Sequence, residues 1–212
     1  MRLTRNLSDY PAGRPLISDE LLEFHAARLL LLVRVCGRGS RIHGLTKLAK
    51  LDFFVRYPAF FAAIDGRSQH AQQEAGSAVE SAMIRHHYGP WDPRYYHVLS
   101  FLEGCGLLDV TKQTRSFVFR LTPDGKGIAD RLAKQDEFGT LVGHMRRVGL
   151  ALSRYRGSQL RDLIYRAFRA EVADQPRGAM ISADRAEIGE AGYRLRLPGD
   201  GDERGGGGRR GR

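Results

Sequence analysis

A chain of 212 residues, 42% hydrophobic and 27% charged, can bury a core in one domain or two small ones, which excludes wholesale disorder. It carries 34 Lys plus Arg against 24 Asp plus Glu, a formal net charge of +10. Residues 185–212 hold seven basic and five acidic side chains, so most of that excess belongs to the rest of the chain, and a basic domain attracts polyanions such as nucleic acid. Plain solubility or an acidic protein partner would account for the same charge.

Residues 1–17 are polar and contain prolines, and read as a flexible arm without the apolar stretch of a signal peptide. Ser18 is placed to cap a helix, with Asp19 and Glu20 near the positive end of its dipole. Leu21, Leu22, Phe24, Leu29, Leu32 and Val33 make that helix apolar on most faces, so it is central or faces a partner. Its run AARLLLLV is too short to span a bilayer and is broken by Arg28, so the chain is expected to be cytoplasmic with no membrane partner. Gly37 and Gly39 end it. A second helix over 44–58 has Leu45, Leu48, Leu51 and Val55 as its stripe. Lys47 and Lys50 fall off that stripe onto a solvated face, and Pro58 is the stop. Residues 59–73 begin apolar and become a polar loop.

A third helix is expected from about Glu74 to His87, burying Ala75, Val79, Ala82 and Met83. YGPWDP then turns sharply at Gly89-Pro90, with Trp91 as anchor. Asp92 and Pro93 occupy N-cap and first-turn positions of the next helix, which glycines 104 and 106 end. Tyr95, Val98, Leu99 and Leu102 share its inner face, Arg94, His97 and Glu103 fall away from it, and Tyr96 is on the border. LLDV at 107–110 and FVFRL at 117–121 read as strands joined by the polar tip TKQTRS. Thr122 and Pro123 open another helix. Two amphipathic helices follow. One buries Phe138, Leu141, Val142, Met145, Val148 and Leu152. The other buries Leu160, Leu163, Ile164, Ala167, Phe168 and Val172 and ends by Pro176. Residues 182–212 are rich in Gly and Arg and read as a disordered tail.

This order predicts a mainly α fold with a small β-hairpin: a winged helix-turn-helix core over 18–181 with added N- and C-terminal helices. An α-helix about 10–12 Å wide fits the major groove of B-DNA, and a basic hairpin beside it can follow the phosphates. The candidate nucleic-acid contacts are Arg94, Tyr96 and His97 on the helix and Lys112, Arg115 and Arg120 on the hairpin. Some of these have a plainer alternative. Arg94 would equally pair with an acidic neighbour, and Tyr95 and Tyr96 would serve a core or interface, where aromatics bury large area.

Enzymatic readings are disfavoured. His86 and His87 point about 100° apart on a helix, so a role at a helix C-terminus suits them better than one shared ion. Cys36 and Cys105 lack partners at zinc-ligand spacing and read as buried small hydrophobes. No phosphate-loop or nucleophile-elbow motif is present. The expectation is a non-enzyme with no cofactor and no metal.

The segments GLTKLAKLDFFVRYP, MIRHHYGPWDPRYYHVLSFLEGCGLL and LRDLIYRAF, spanning roughly 40–175, resemble the middle component of bacterial ABC-three-component systems, including the Lamassu-type defence systems. The resemblance implies a small non-enzymatic winged-helix-like subunit. Its partners would be an SMC/Rad50-like ABC ATPase and a separate effector, in a system that senses phage or plasmid DNA. It carries over no functional residue. A homodimeric winged-helix transcriptional regulator and an antitoxin-like adaptor are the competing readings.

Overall fold

A computed structural model describes residues 21–65, 83–114 and 116–181. The fold is mainly helical with a small antiparallel sheet. Helix α1 (Leu22–Val35) leads to strand β1 (Arg41–His43), then α2 (Leu45–Arg56) and α3 (Pro58–Asp65). Strands β2 (Ile84–His86) and β3 (Gly89–Trp91) form a hairpin before α4 (Tyr95–Gly104). Strands β4 (Leu108–Gln113) and β5 (Ser116–Leu121) precede α5 (Pro123–Leu132), α6 (Gly139–Leu152) and α7 (Gly157–Ala167). A π-helical turn over Arg169–Ala173 follows.

Helix α1 is the central helix its leucines predict. Leu29 to Val33 are all buried, because α4, α5, α6 and β5 pack around it. The sheet order is β1-β5-β4, with Ile42 opposite Phe119 and Val110 opposite Phe119 on the other side. The sequence pattern shows only the hairpin. Strand β1 has three residues, too few for alternation to register, and it exists through its bonds to β5.

The LTPDG pattern has a physical reason. Thr122 Oγ1 accepts from the Gly125 amide at 3.0 Å and donates to the Gly106 carbonyl at 2.8 Å. A Cβ on Gly125 would lie 1.9 Å from the Leu107 carbonyl oxygen, so only glycine lets α5 start this close to the strand.

Four expectations need correction. Residues 84–86 are strand, not helix: Arg85 donates its amide to Ala179 and Ile181 donates to Met83, so a segment far along the chain supplies the bonds a helix would otherwise make. Residues 74–82 of that expected helix lie outside the described residues. Helix α2 ends at Arg56, before Pro58 as expected, but Pro58 also begins α3, so 59–65 are helical; proline suits a first turn, where its missing N–H is not needed. Asp92 does not directly precede α4. Its Oδ1 accepts from the Arg94 amide at 2.9 Å, holding the turn before a helix that starts at Tyr95. Cys105 is exposed at the end of α4, whereas Cys36 is buried as expected. The Ser18 cap, the 1–17 arm and the 182–212 tail lie outside the described residues, and the first helical residue described is Leu22.

Candidate functional site

Helix α4 leads directly into strand β4 and packs against it. Tyr96 and His97 lie on the exposed face of α4, Tyr96 at 64% exposure. Lys112 is exposed on β4, in register with the exposed Phe117 of β5. Arg120 is exposed but donates to Asp109 at 2.9 Å, and Arg41 stands on its other side in the sheet. Arg115 lies outside the described residues.

Arg94 is the exception, and its plainer alternative holds. Its Nε donates to Asp92 Oδ1 at 3.0 Å, its Nη2 to Asp92 Oδ2 at 2.7 Å and its Nη1 to His25 Nε2 at 2.8 Å. A guanidinium spent on a bidentate carboxylate does not also lead a phosphate contact. Arg94 thus holds the turn before α4, with about a third of its side chain still open to solvent.

Beneath this face sits an ionic cluster that the sequence reading missed. Asp52 of α2 is fully buried, accepting from Arg28 of α1 and, at 2.7 Å, from the Tyr95 hydroxyl. Arg56 donates to Asp92 Oδ2 at 2.7 Å and stands 4.0 Å from Asp52. Burial works to raise the Asp92 carboxyl, but the hydrogen bonds from Arg94 and the charges of Arg56 and Arg94 outweigh it and hold the group well below the usual carboxylate range. Burial, then the Asp52 charge, pushes Tyr95 well above its ordinary value, so it stays a donor. The cluster ties α1, α2, the turn at Asp92 and α4 together. The available signal was Arg28 inside an apolar run and the Asp52–Arg56 spacing of one helical turn.

The lysines of α2 are not a solvated face. Lys47 Nζ donates to the Ser153 carbonyl at 2.6 Å. Lys50 is 1% exposed and donates to the Pro90 carbonyl at 2.8 Å. The β2–β3 hairpin, α3, α6 and α7 cover the sides of α2 that its leucine stripe leaves open. Burial, then the charges of Arg85 and Arg161, lowers Lys50 to about 7. Gly89 makes the cover possible, since its φ of +92° suits glycine and a Cβ there would meet the end of Lys50 at 3.4 Å.

His86 and His87 lie on this hairpin, not at a helix C-terminus, with ring planes 73° apart. Among the described residues no group of three or more His, Cys, Asp or Glu side chains is placed to hold a metal, and no helix is long and apolar enough to cross a membrane. Burial, then the Asp52 charge, pushes the Cys36 thiol up to about 12, and its Sγ donates to the Met145 carbonyl at 3.2 Å, so it acts as an inert core group.

In comparison with known families, curated proteins and solved structures, no match to the chain was found.

Proposed function

We propose that the chain is a non-enzymatic winged-helix accessory subunit of an SMC/Rad50-like ABC ATPase assembly of the anti-phage or anti-plasmid kind. In this reading the α4 face docks a companion subunit and the sheet contacts DNA phosphates. The observation that carries it is the strand order β1-β5-β4, with β1 between the first two helices and α4 directly before β4. This order supports a winged-helix reading in which α1, α2 and α4 are its three helices, with α3 and the β2–β3 hairpin falling between α2 and α4.

The division of labour follows from charge. The exposed side chains of α4 are Tyr96, His97, Ser100 and Glu103, a mixed face better suited to protein than to phosphate. The exposed cations Arg41, Lys112 and Arg120 belong to the sheet. Asp109 offsets part of the Arg120 charge. Contacts of this type position DNA without reading its bases. The assembly itself is supported by the three resembling segments.

Recovery of the tagged chain from its native cells, with the components identified by mass, tests the proposal. A stoichiometric SMC-like ATPase is the expected result. A lone homodimer bound to a palindromic operator would favour a regulator instead and refute the proposal.

A further inference from the structure

The β2–β3 hairpin, α2 and the start of α4 enclose a cleft of about 220 Å³. His86, Tyr88, Trp91 and Tyr96 make its walls aromatic, with the Trp91 ring 5.6 Å from that of His86 and 5.7 Å from that of Tyr96. Tyr88 and Tyr96 are left open to solvent at 58% and 64% exposure. An apolar cavity of about 150 Å³ is known to hold benzene, so this cleft has room for a planar ring.

Lys50 lines the same cleft, and Thr46 adds a hydroxyl. The Lys50 ammonium gives one hydrogen bond to Pro90 and keeps further donors for a ligand. The guanidinium charges acting here are those of Arg85 and Arg161 on Lys50 and of Arg85 and Arg177 on His86. Asp162 offsets Arg161 at 2.6 Å, while Arg177 stands 3.4 Å from the His87 ring. Aromatic walls alone would also suit a quaternary ammonium, but a lysine in the lining and arginines around it oppose a cation. A flat ring with acceptor atoms on its edge and an anionic group outside satisfies walls, lysine and field together.

We infer that the cleft holds a nucleotide, its base stacked among Tyr88, Trp91 and Tyr96 with an acceptor on Lys50, and its phosphate toward the exposed Arg177 beside His87, since Arg85 is already spent on the His86 and Ala173 carbonyls and the Tyr165 ring. Stacking of this kind tolerates any base, since every base has a π-face. The source is either a free nucleotide or an unpaired base of a single strand. The inference does not depend on the assembly proposal, which co-purification tests separately.

Trp91 is the single tryptophan of the chain, so its fluorescence reports on the cleft. The full chain is titrated with adenosine monophosphate, with a single-stranded oligonucleotide of about eight nucleotides, and with its abasic counterpart. Saturable quenching by the intact but not the abasic strand assigns the cleft to a strand's base, and quenching by the mononucleotide assigns it to a free nucleotide. In either case Tyr96→Ala, an exposed position whose loss spares the core, weakens binding on the order of tenfold. Lys50→Met weakens it as well. No saturable quenching by either probe, equal quenching by the abasic strand, or unchanged affinity in both variants overturns the inference.

Discussion

Replacing Lys50 by methionine keeps the stem that packs under the β2–β3 hairpin and removes the charge. In the folded chain Lys50 falls from 10.5 to about 7, and because it is 1% exposed no solvent screening reduces the effect. At about 1.36 kcal/mol per pH unit, holding this amine in place costs about 4–5 kcal/mol at pH 7. The unfolded chain keeps the Lys50 proton up to pH 10.5 and the folded chain only up to about 7. Unfolding between those values takes up a proton, so the Lys50 contribution makes stability rise with pH across that window and is flat below it. The methionine also leaves the Pro90 carbonyl without its donor, which costs about 1–3 kcal/mol. Lys50→Met is therefore more stable than the parent at pH 7 by about 2 kcal/mol, and the gap closes by about the same amount by pH 9. Urea unfolding of both proteins at pH 6, 7, 8 and 9 measures this. The comparison is needed because Cys36 and the tyrosines, raised by burial, make stability fall at alkaline pH in both proteins alike. A parent-minus-variant difference that stays level from pH 7 to 9 would refute the reasoning.

Tyr95→Phe removes the hydroxyl that donates to buried Asp52, and thermal or urea unfolding is expected to show a loss of about 1–3 kcal/mol with the fold retained. Gly125→Ala forces a Cβ onto the Leu107 carbonyl, and the shift that relieves it costs about 1–3 kcal/mol, read as a lower denaturation midpoint at unchanged slope. Lys112→Ala is expected to weaken duplex binding equally for all sequences and to lower the salt slope by about 1, whereas Arg94→Ala leaves that slope alone and lowers stability. A fall of one in the Arg94→Ala slope would return that residue to the interface.

What the sequence discloses depends on how local the cause is. The inner face of α4 is legible because Tyr95, Val98, Leu99 and Leu102 repeat at helical spacing, and all four are buried. The start of α5 is legible because Thr122 and Pro123 act within one turn. Helix α7 buries Leu160, Leu163, Ile164 and Ala167 as its pattern requires. The misread elements answer to distant partners. Strand β2 pairs with β3 in a local hairpin, but its other edge is held by residues 178–181, nearly a hundred positions on. Lys50 lies off its helix's stripe and would be solvated but for a hairpin about forty residues later. Arg28 reads as an interruption of an apolar run until Asp52 is packed against it. At the candidate site, exposure of Tyr96, His97, Lys112 and Arg120 follows from their places on helix and hairpin, while the commitment of Arg94 follows from a turn that brings Asp92 back onto it.

Hydrogen exchange of the isolated chain against the chain in its recovered native assembly bears most directly on the proposed docking region. The account predicts new protection over residues 95–104 and 108–121, with α7 unchanged. Protection confined to α6 and α7, with α4 and the sheet exchanging as before, would contradict it.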